Sequence, residues 1–186
     1  MSNIQYKKLT RAEIGMFEQI DRTESIQRIY YFRNGVLVLE EEHYKVPDWN
    51  PRVKQECISD LQILFDQGSQ IFGAFDKDIL VGVSVLDVRP LKSGTNRLNL
   101  EGMWVSCNYR GRGIGRALFQ LAMQEALGRN AKSIYVSATP SENTVSFYTA
   151  LGCKPAQPID PSLFEKEPED IHLELILPKE KTSSIE

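Results

Sequence analysis

Gly111, Gly113 and Gly115 stand at alternate positions between two apolar runs of different period. Before them, Leu100-Glu101-Gly102-Met103-Trp104-Val105-Ser106 is rich in large apolar residues and strand-like. After them, Ile114, Ala117, Leu118, Leu121, Ala122 and Ala126 recur with a helical period of about 3.6 residues. A strand must therefore turn sharply into a helix here. Glycines let the backbone make that turn and let a ligand approach closely. The first N–H groups of such a helix have no partner within it, and the helix dipole makes that end positive. Arg110, Arg112 and Arg116 add positive charge at the same place. The arrangement suits a phosphate group.

Two familiar phosphate loops fit poorly. A P-loop needs Gly-Lys followed by Ser or Thr, whereas Gly115 is followed by Arg116 and Ala117. A dinucleotide fingerprint has G-x-G-x-x-G spacing and an acidic residue after the next strand. Here the sixth position is Arg116, and the next strand ends in Ser137, Ala138 and Thr139.

The rest of the chain reads as alternating short elements. Ile4 to Leu9 is strand-like. Thr10 and Glu13 have the spacing of a capping box, which predicts a helix to about Asp21 with Ile14, Phe17 and Ile20 on one face. Arg28 to Arg33 and Val36 to Glu40 flank Asn34-Gly35, a strong hairpin signal. Asn50 can cap a helix that has Pro51 at its first position and runs to about Gln67. Strands follow at Gln70 to Phe75 and Ile79 to Val88, around the turn Asp76-Lys77-Asp78, and at Arg97 to Ser106. Beyond the helix from Gly113 to Gly128 come a strand from Ser133 to Ala138, a helix from Asn143 to Leu151 closed by Gly152, and a strand from Ile171 to Leu177. From Gln70 the order is β-β-β-α-β-α-β. Hairpins precede a helical crossover, which argues for a mixed sheet in an α/β layer fold.

Arg110-x-x-Gly113-x-Gly115 at a strand-to-helix turn resembles the coenzyme A pyrophosphate motif of the GNAT superfamily of acyl-CoA N-acyltransferases. Trp104-Val105 before it and Arg116-Ala117-Leu118 after it fit, as do Asn143 and Phe147-Tyr148-x-x-Leu151-Gly152 downstream. The resemblance covers Gln70 to Cys153 well and the first third of the chain weakly. Cys107 stands where proline is common, and Cys153 where an aromatic is usual. The resemblance implies a mostly antiparallel mixed sheet with a central β-bulge, a splayed strand pair and flanking helices. It implies one domain over residues 1–178, with acceptor-side elements in 1–69, an acetyl-CoA core in 70–153, and a polar tail at 179–186. Backbone groups of Met103, Trp104 and Val105 would pair with the pantetheine arm. Arg110, Gly111, Arg112, Gly113, Ile114, Gly115 and Arg116 would hold the pyrophosphate, and Asn143 and Tyr148 would lie near the thioester.

Each of these residues also has a plainer reading. Tyr148 can be a core residue paired with Leu151, or a group that assists the sulfur. Asn143 can be a helix cap, a coenzyme contact, or both. Glu101 is the odd residue in an apolar strand. It can face solvent, or line an acceptor pocket as an acidic residue does in aminoglycoside-type members of the family. His43 and His172 have no metal-ligand neighbours at useful spacing, and no metal is expected.

Charge and composition narrow the function further. With 22 basic and 25 acidic residues and a net charge of −3, the chain is not built to coat nucleic acid. No run of apolar residues is long enough for a membrane span, and Met1 to Lys7 holds no signal-peptide core. Cys57, Cys107 and Cys153 fit neither a disulfide framework nor a zinc site, so a cytoplasmic protein, monomeric or homodimeric, is expected. The function expected is transfer of acetyl from acetyl-CoA to a primary amine of a small molecule, by direct attack in a ternary complex. The alternatives are a protein N-terminal or lysine acetyltransferase, and a coenzyme A-binding regulatory module without turnover.

Overall fold

The computed structural model describes residues 3–93 and 96–178; the tail at 179–186 lies outside them. Strands β1 (Ile4–Lys8), β4 (Gln70–Asp76), β5 (Ile79–Asp87), β6 (Arg97–Val105), β7 (Ser133–Ala138), β8 (Lys154–Pro155) and β9 (Ile171–Ile176) form one sheet in the order β1-β4-β5-β6-β7-β9-β8. Strands β2 (Glu24–Arg33) and β3 (Val36–Val46) form a separate hairpin. In the large sheet only β6 and β7 run parallel. Their connection is α2 (Ile114–Gly128), a helical crossover as a parallel pair requires.

Each face of the sheet has its own core. On one side Leu98, Leu100 and Val136 pack against Ile114, Leu118 and Phe119 of α2 and Val145 and Tyr148 of α3 (Glu142–Ala150). On the other, Val83 and Val85 pack against Ile14 and Phe17 of a first helix and Ile58 and Leu61 of α1 (Pro51–Asp66). The α1 start is the one anticipated: Asn50 Oδ1 accepts from Arg52 N at 2.9 Å, with Pro51 in the first turn.

The structure adds the type of the first helix and corrects two local expectations. The first helix is a 3-10 helix over Arg11–Gln19. Its buried residues Ile14, Phe17 and Ile20 are three apart, a spacing that lines one face at three residues per turn but drifts on an α-helix. The capping box holds, with Glu13 Oε2 accepting from Thr10 N at 2.9 Å. The α3 cap is Ser141, whose Oγ accepts from Thr144 N at 3.3 Å; Asn143 lies inside the first turn. Finally, β8 and a six-residue helix α4 (Pro161–Lys166) lie between α3 and β9, where no element was expected. Asp160 Oδ1 caps α4, accepting from Ser162 N (3.0 Å) and Leu163 N (3.1 Å).

The hairpin leans on α3. Ile29 forms a bridge with Ser141, and Tyr30 N donates to Pro140 O at 2.7 Å. Arg28 forks onto Glu142 at 2.9 and 2.6 Å.

The parallel pair is short: Arg97, Leu98 and Asn99 match Ser133, Ile134 and Tyr135, and the pairing then stops. At its root the Arg97 guanidinium grips both oxygens of Glu174 on β9, at 2.8 and 2.6 Å, with side chains only 5% and 11% exposed. Removing one partner of a buried pair leaves an uncompensated charge, which costs about 3–5 kcal/mol. Arg97→Met is expected to lose about that much stability by urea unfolding. Adding Glu174→Leu should return most of it. A single-variant loss below about 1 kcal/mol would mean that this pair does not pin the root.

Candidate active site

The site begins where β6 leaves β7. Opposite β5, Gly102 matches Val85 and Leu100 matches Leu86, so Glu101 is an extra residue in β6, a β-bulge. A bulge bends its strand and re-aims a side chain. Glu101 is thus the second residue past the fork. From Leu100 to Val105 the edge of β6 that would face β7 has no ladder partner. This is the splayed pair and central bulge that the sequence pattern implied.

Side chains of this free segment alternate. Met103 and Val105 face the α2 and α3 core. Trp104 faces the other way, edge-on to Phe17 and Trp49 at centroid distances of 5.2 and 6.2 Å. Its indole lies over Gly102, where any Cβ would sit 2.1 Å from it, so only glycine fits between the ring and the bulge. The Val105 carbonyl already accepts from Arg110 Nε at 3.0 Å.

At the far end of that edge the glycine turn opens α2. Gly113 is the N-cap residue with φ +80°, a left-handed conformation that an L side chain resists. It offers no side-chain cap, and the first helical bond is Ala117 N to Gly113 O at 3.1 Å. The N–H groups of Ile114, Gly115 and Arg116 therefore have no hydrogen-bond partner among the described residues. Gly115 lets the Phe147 ring close in; a Cβ there would be 3.3 Å from it.

The three arginines divide their work. Arg110 is committed to the chain itself, donating to Val105 O and to Arg22 O (3.1 Å) and pairing with Glu24 at 3.2 Å. Arg112 donates to Asn108 O at 2.7 Å and lies over the Tyr109 ring. Arg116 is exposed and forms no ion pair among the described residues. Of the charges predicted for an anion, it is the one left available. Asn143 Nδ2 donates to the other oxygen of Glu24 at 3.1 Å, so Glu24 ties the turn to α3.

Tyr148 is buried, edge-on to Phe119 (5.9 Å) and Phe147 (5.1 Å). Burial, and to a lesser degree the neighbouring Cys153, push its phenol well above the ordinary tyrosine range. Burial also raises the Cys153 thiol to about 12, which makes it an inert core group.

Glu101 is the centre of a polar cluster on the acceptor side. Its Oε2 accepts from Asn99 Nδ2 at 2.7 Å, and its Oε1 accepts from Lys166 Nζ at 2.8 Å. Burial pulls the Lys166 ammonium down, but the Glu101 hydrogen bond and the charges of Glu101, Glu167 and Asp60 outweigh it and leave it above the usual lysine value. Two buried polar atoms have no partner among the described residues: Asn99 Oδ1, beside Glu101, and Trp49 Nε1, beside Trp104. Of these residues, Lys166, Asn99, Trp49 and Glu24 were not singled out from the sequence. For Lys166 the signal existed in Asp160-Pro161-Ser162, a cap followed by a first-turn proline.

Among the described residues no group of three or more His, Cys, Asp or Glu could hold a metal. A hollow of about 640 Å³ between β1 and the end of α2 lies away from the fork and the turn.

Solved structures of similar fold include nourseothricin acetyltransferase, with a TM-score of 0.69, 20% identity, and coverage of 94% of this chain and 99% of that one. A putative streptothricin acetyltransferase from Bacillus anthracis str. Ames, in complex with acetyl coenzyme A, has a TM-score of 0.65 at 16% identity, covering 95% and 99%. The ribosomal-protein-S18-alanine N-acetyltransferase from Escherichia coli has a TM-score of 0.59 at 13% identity, covering 99% of each chain. At such identities the likeness is one of fold. The acetyltransferase (GNAT) family model matches residues 24–153, most of the chain and the whole span from β2 to the end of α3. The free amides at the glycine turn, the forked strands and this match together place the chain in the GNAT acetyltransferase family.

Proposed function

We propose that this acetyltransferase moves the acetyl group of acetyl-CoA to a primary amine of a small molecule, by direct attack while both are bound. The observation that carries the reading is the carboxylate of Glu101, set by the bulge at the fork and holding an ammonium group, that of Lys166, at 2.8 Å. A site that seats one ammonium there can seat another. The solved structures with nourseothricin and streptothricin acetyltransferases in their names add weight from fold likeness only.

The coenzyme fits the chain's own geometry. The amides of Ile114, Gly115 and Arg116 and the Arg116 guanidinium suit its pyrophosphate. The free edge of β6 from Val105 toward Leu100 offers backbone groups to an extended amide-bearing arm. That arm runs from the turn toward the fork and brings the thioester toward Glu101.

Proton bookkeeping assigns the roles. A lysine-like amine has a pKa of about 10.4 and a free glutamate about 4.3. Transfer of the proton straight to Glu101 is uphill by about 6 units, or about 8 kcal/mol. Glu101 therefore anchors the ammonium, and the proton leaves through water. Most of the acceleration then comes from holding amine and carbonyl together. At the leaving group, a thiol near 8.5 is a stronger acid than tyrosine near 10 by about 1.5 units. Burial of Tyr148 widens that gap. Tyr148 thus serves as a neutral phenol that donates a hydrogen bond to the developing thiolate and keeps its proton.

Thiol release over a panel of amines, with nourseothricin, simple diamines and lysine-ended peptides as members, tests the acceptor class. Turnover of peptides with none of the small amines would overturn it. Arg116→Glu should weaken acetyl-CoA binding about tenfold or more in calorimetry, the scale of a contact between charged groups. Its circular dichroism should not change, because the side chain is exposed. Glu101→Gln should raise KM for the amine about 2- to 5-fold, or about 0.4–1 kcal/mol, the range for a partly exposed ion pair, and leave KM for acetyl-CoA in place. Equal KM values for the amine would reduce Glu101 to a structural carboxylate. Tyr148→Phe should lower kcat about 10- to 100-fold, a hydrogen bond to a charged group being worth about 1.5–3 kcal/mol. The deficit should shrink with an acyl donor whose thiol is more acidic. A loss equal for all leaving thiols would leave Tyr148 a positioning role alone.

A further inference from the structure

We propose that Lys166 is a site of self-acetylation: its amine occupies the acceptor position of this chain's own active site and takes an acetyl group from bound acetyl-CoA. The inference rests on the reading of Glu101 as the acceptor's anchor and of the free β6 edge as the path of the coenzyme arm.

The geometry has three parts. First, Lys166 Nζ lies 2.8 Å from Glu101 Oε1, while its side chain is more than half exposed. It is seated on the anchor but not packed there, and its long stem leaves it free to move by the small distance an attack requires. Second, Glu101 is at the fork. From Val105 to Leu100 the free edge of β6 spans six residues, whose five steps cover roughly 17 Å at the strand rise of about 3.3 Å per residue. An extended arm fixed at the glycine turn and lying along that edge ends where Glu101 and Lys166 meet. Third, the side chains around Lys166 are those an acceptor amine would need. Glu101 holds the ammonium, Glu167 is 4.0 Å away, and the charge of Asp60 is also felt. Arg89, the other cation that feels Glu101, is engaged by Asp87 at 2.7 Å.

The step balances without any further reagent. The ammonium, held by Glu101, loses one proton to water. The free Nζ lone pair attacks the thioester carbonyl carbon, the C–N bond forms and the C–S bond breaks. The second proton goes to the coenzyme sulfur. The products are acetyl-lysine, free thiol and one proton in solution. Acetyl-Lys166 has no charge, so it no longer competes for Glu101, and the anchor is released to an external amine.

The test needs no knowledge of the natural acceptor. The purified full chain is incubated with acetyl-CoA alone at mildly alkaline pH, and acetylation is mapped by peptide mass spectrometry over time. Lys166 is expected to be acetylated at least about tenfold faster than the exposed Lys92 and Lys154, because a bound donor raises the local concentration of acetyl groups. Its rate should saturate with acetyl-CoA, be independent of protein concentration, and fall to the level of the other lysines in excess desulfo-coenzyme A. The preference should also vanish in Glu101→Gln. Acetylation of Lys166 at the common rate, or a preference that desulfo-coenzyme A does not abolish, would overturn the proposal. So would a preference that rises with protein concentration. The Glu101 anchor is judged separately, by the amine KM of Glu101→Gln. If that KM rises while Lys166 stays unacetylated, the anchor stands and self-acetylation fails. If acetyl-CoA does not bind in calorimetry, the coenzyme reading fails, and this proposal with it.

Discussion

Beyond Asn99 and Tyr135, β6 and β7 share no ladder hydrogen bonds. Backbone polar groups in the middle of a sheet cannot stay unpaired at no cost, so the gap must admit water or a ligand. The rest of the site is arranged around this gap. Arg97 and Glu174 pin the last paired residues to β9. The bulge at Glu101 bends β6 away from its neighbour just past that root. At the other end of the free edge the chain turns back through Gly111 to Gly115 into α2, which crosses over to β7. The gap thus has a closed end that bears a carboxylate and an open end that bears unpartnered amides. Such polarity suits a long donor with an anionic head and a reactive tip.

The charges near the open end show a division between holding the turn and serving a ligand. Glu24 collects Arg110 and Asn143, and Arg110 also reaches Val105 and Arg22. Through these contacts β2, the turn and α3 become one unit, although they come from distant parts of the chain. The β2–β3 hairpin, which pairs with no strand of the main sheet, is secured by the same contacts and by Arg28 on Glu142. Arginine at a phosphate motif invites the assumption that every guanidinium binds phosphate. Here Arg110 and Arg112 bond the loop itself, whereas the backbone amides at the start of α2 and the Arg116 guanidinium have no partner among the described residues.

Much of this was legible in the sequence, for stated reasons. The strand, glycine turn and helix had period and composition in agreement, so β6 and α2 followed, and the family resemblance of the turn implied the fork between β6 and β7. Asn34-Gly35 and Asn50-Pro51 acted as local signals that no tertiary contact overrode. The failures were of two kinds. Asn143 was expected at the start of α3, but Ser141 two residues earlier has the shorter side chain and the Pro140 carbonyl of β2's contact beside it, so the helix began there. The acceptor side was the least visible. Asn99 and Lys166 meet at Glu101 only through the fold, from β6 and α4, and no local pattern links them.

Charge alone gives this site limited power to choose an acceptor. Glu101 and Lys166 are partly exposed, and a pair of that kind is worth about 0–1 kcal/mol once solvent screens it. One ammonium could replace another there with little change in energy. Buried neutral groups discriminate more strongly, because a missing partner exposes the full cost of desolvation, about 1–3 kcal/mol. Asn99 Oδ1 and Trp49 Nε1 are the two buried polar atoms left without a partner among the described residues, one an acceptor and one a donor. They lie beside Glu101 and beside Trp104 respectively. An amine that brought a donor to the first and an acceptor to the second would gain what a bare ammonium cannot. On the proposed reading the carboxylate would select for a cation, and the two neutral atoms would separate one amine from another.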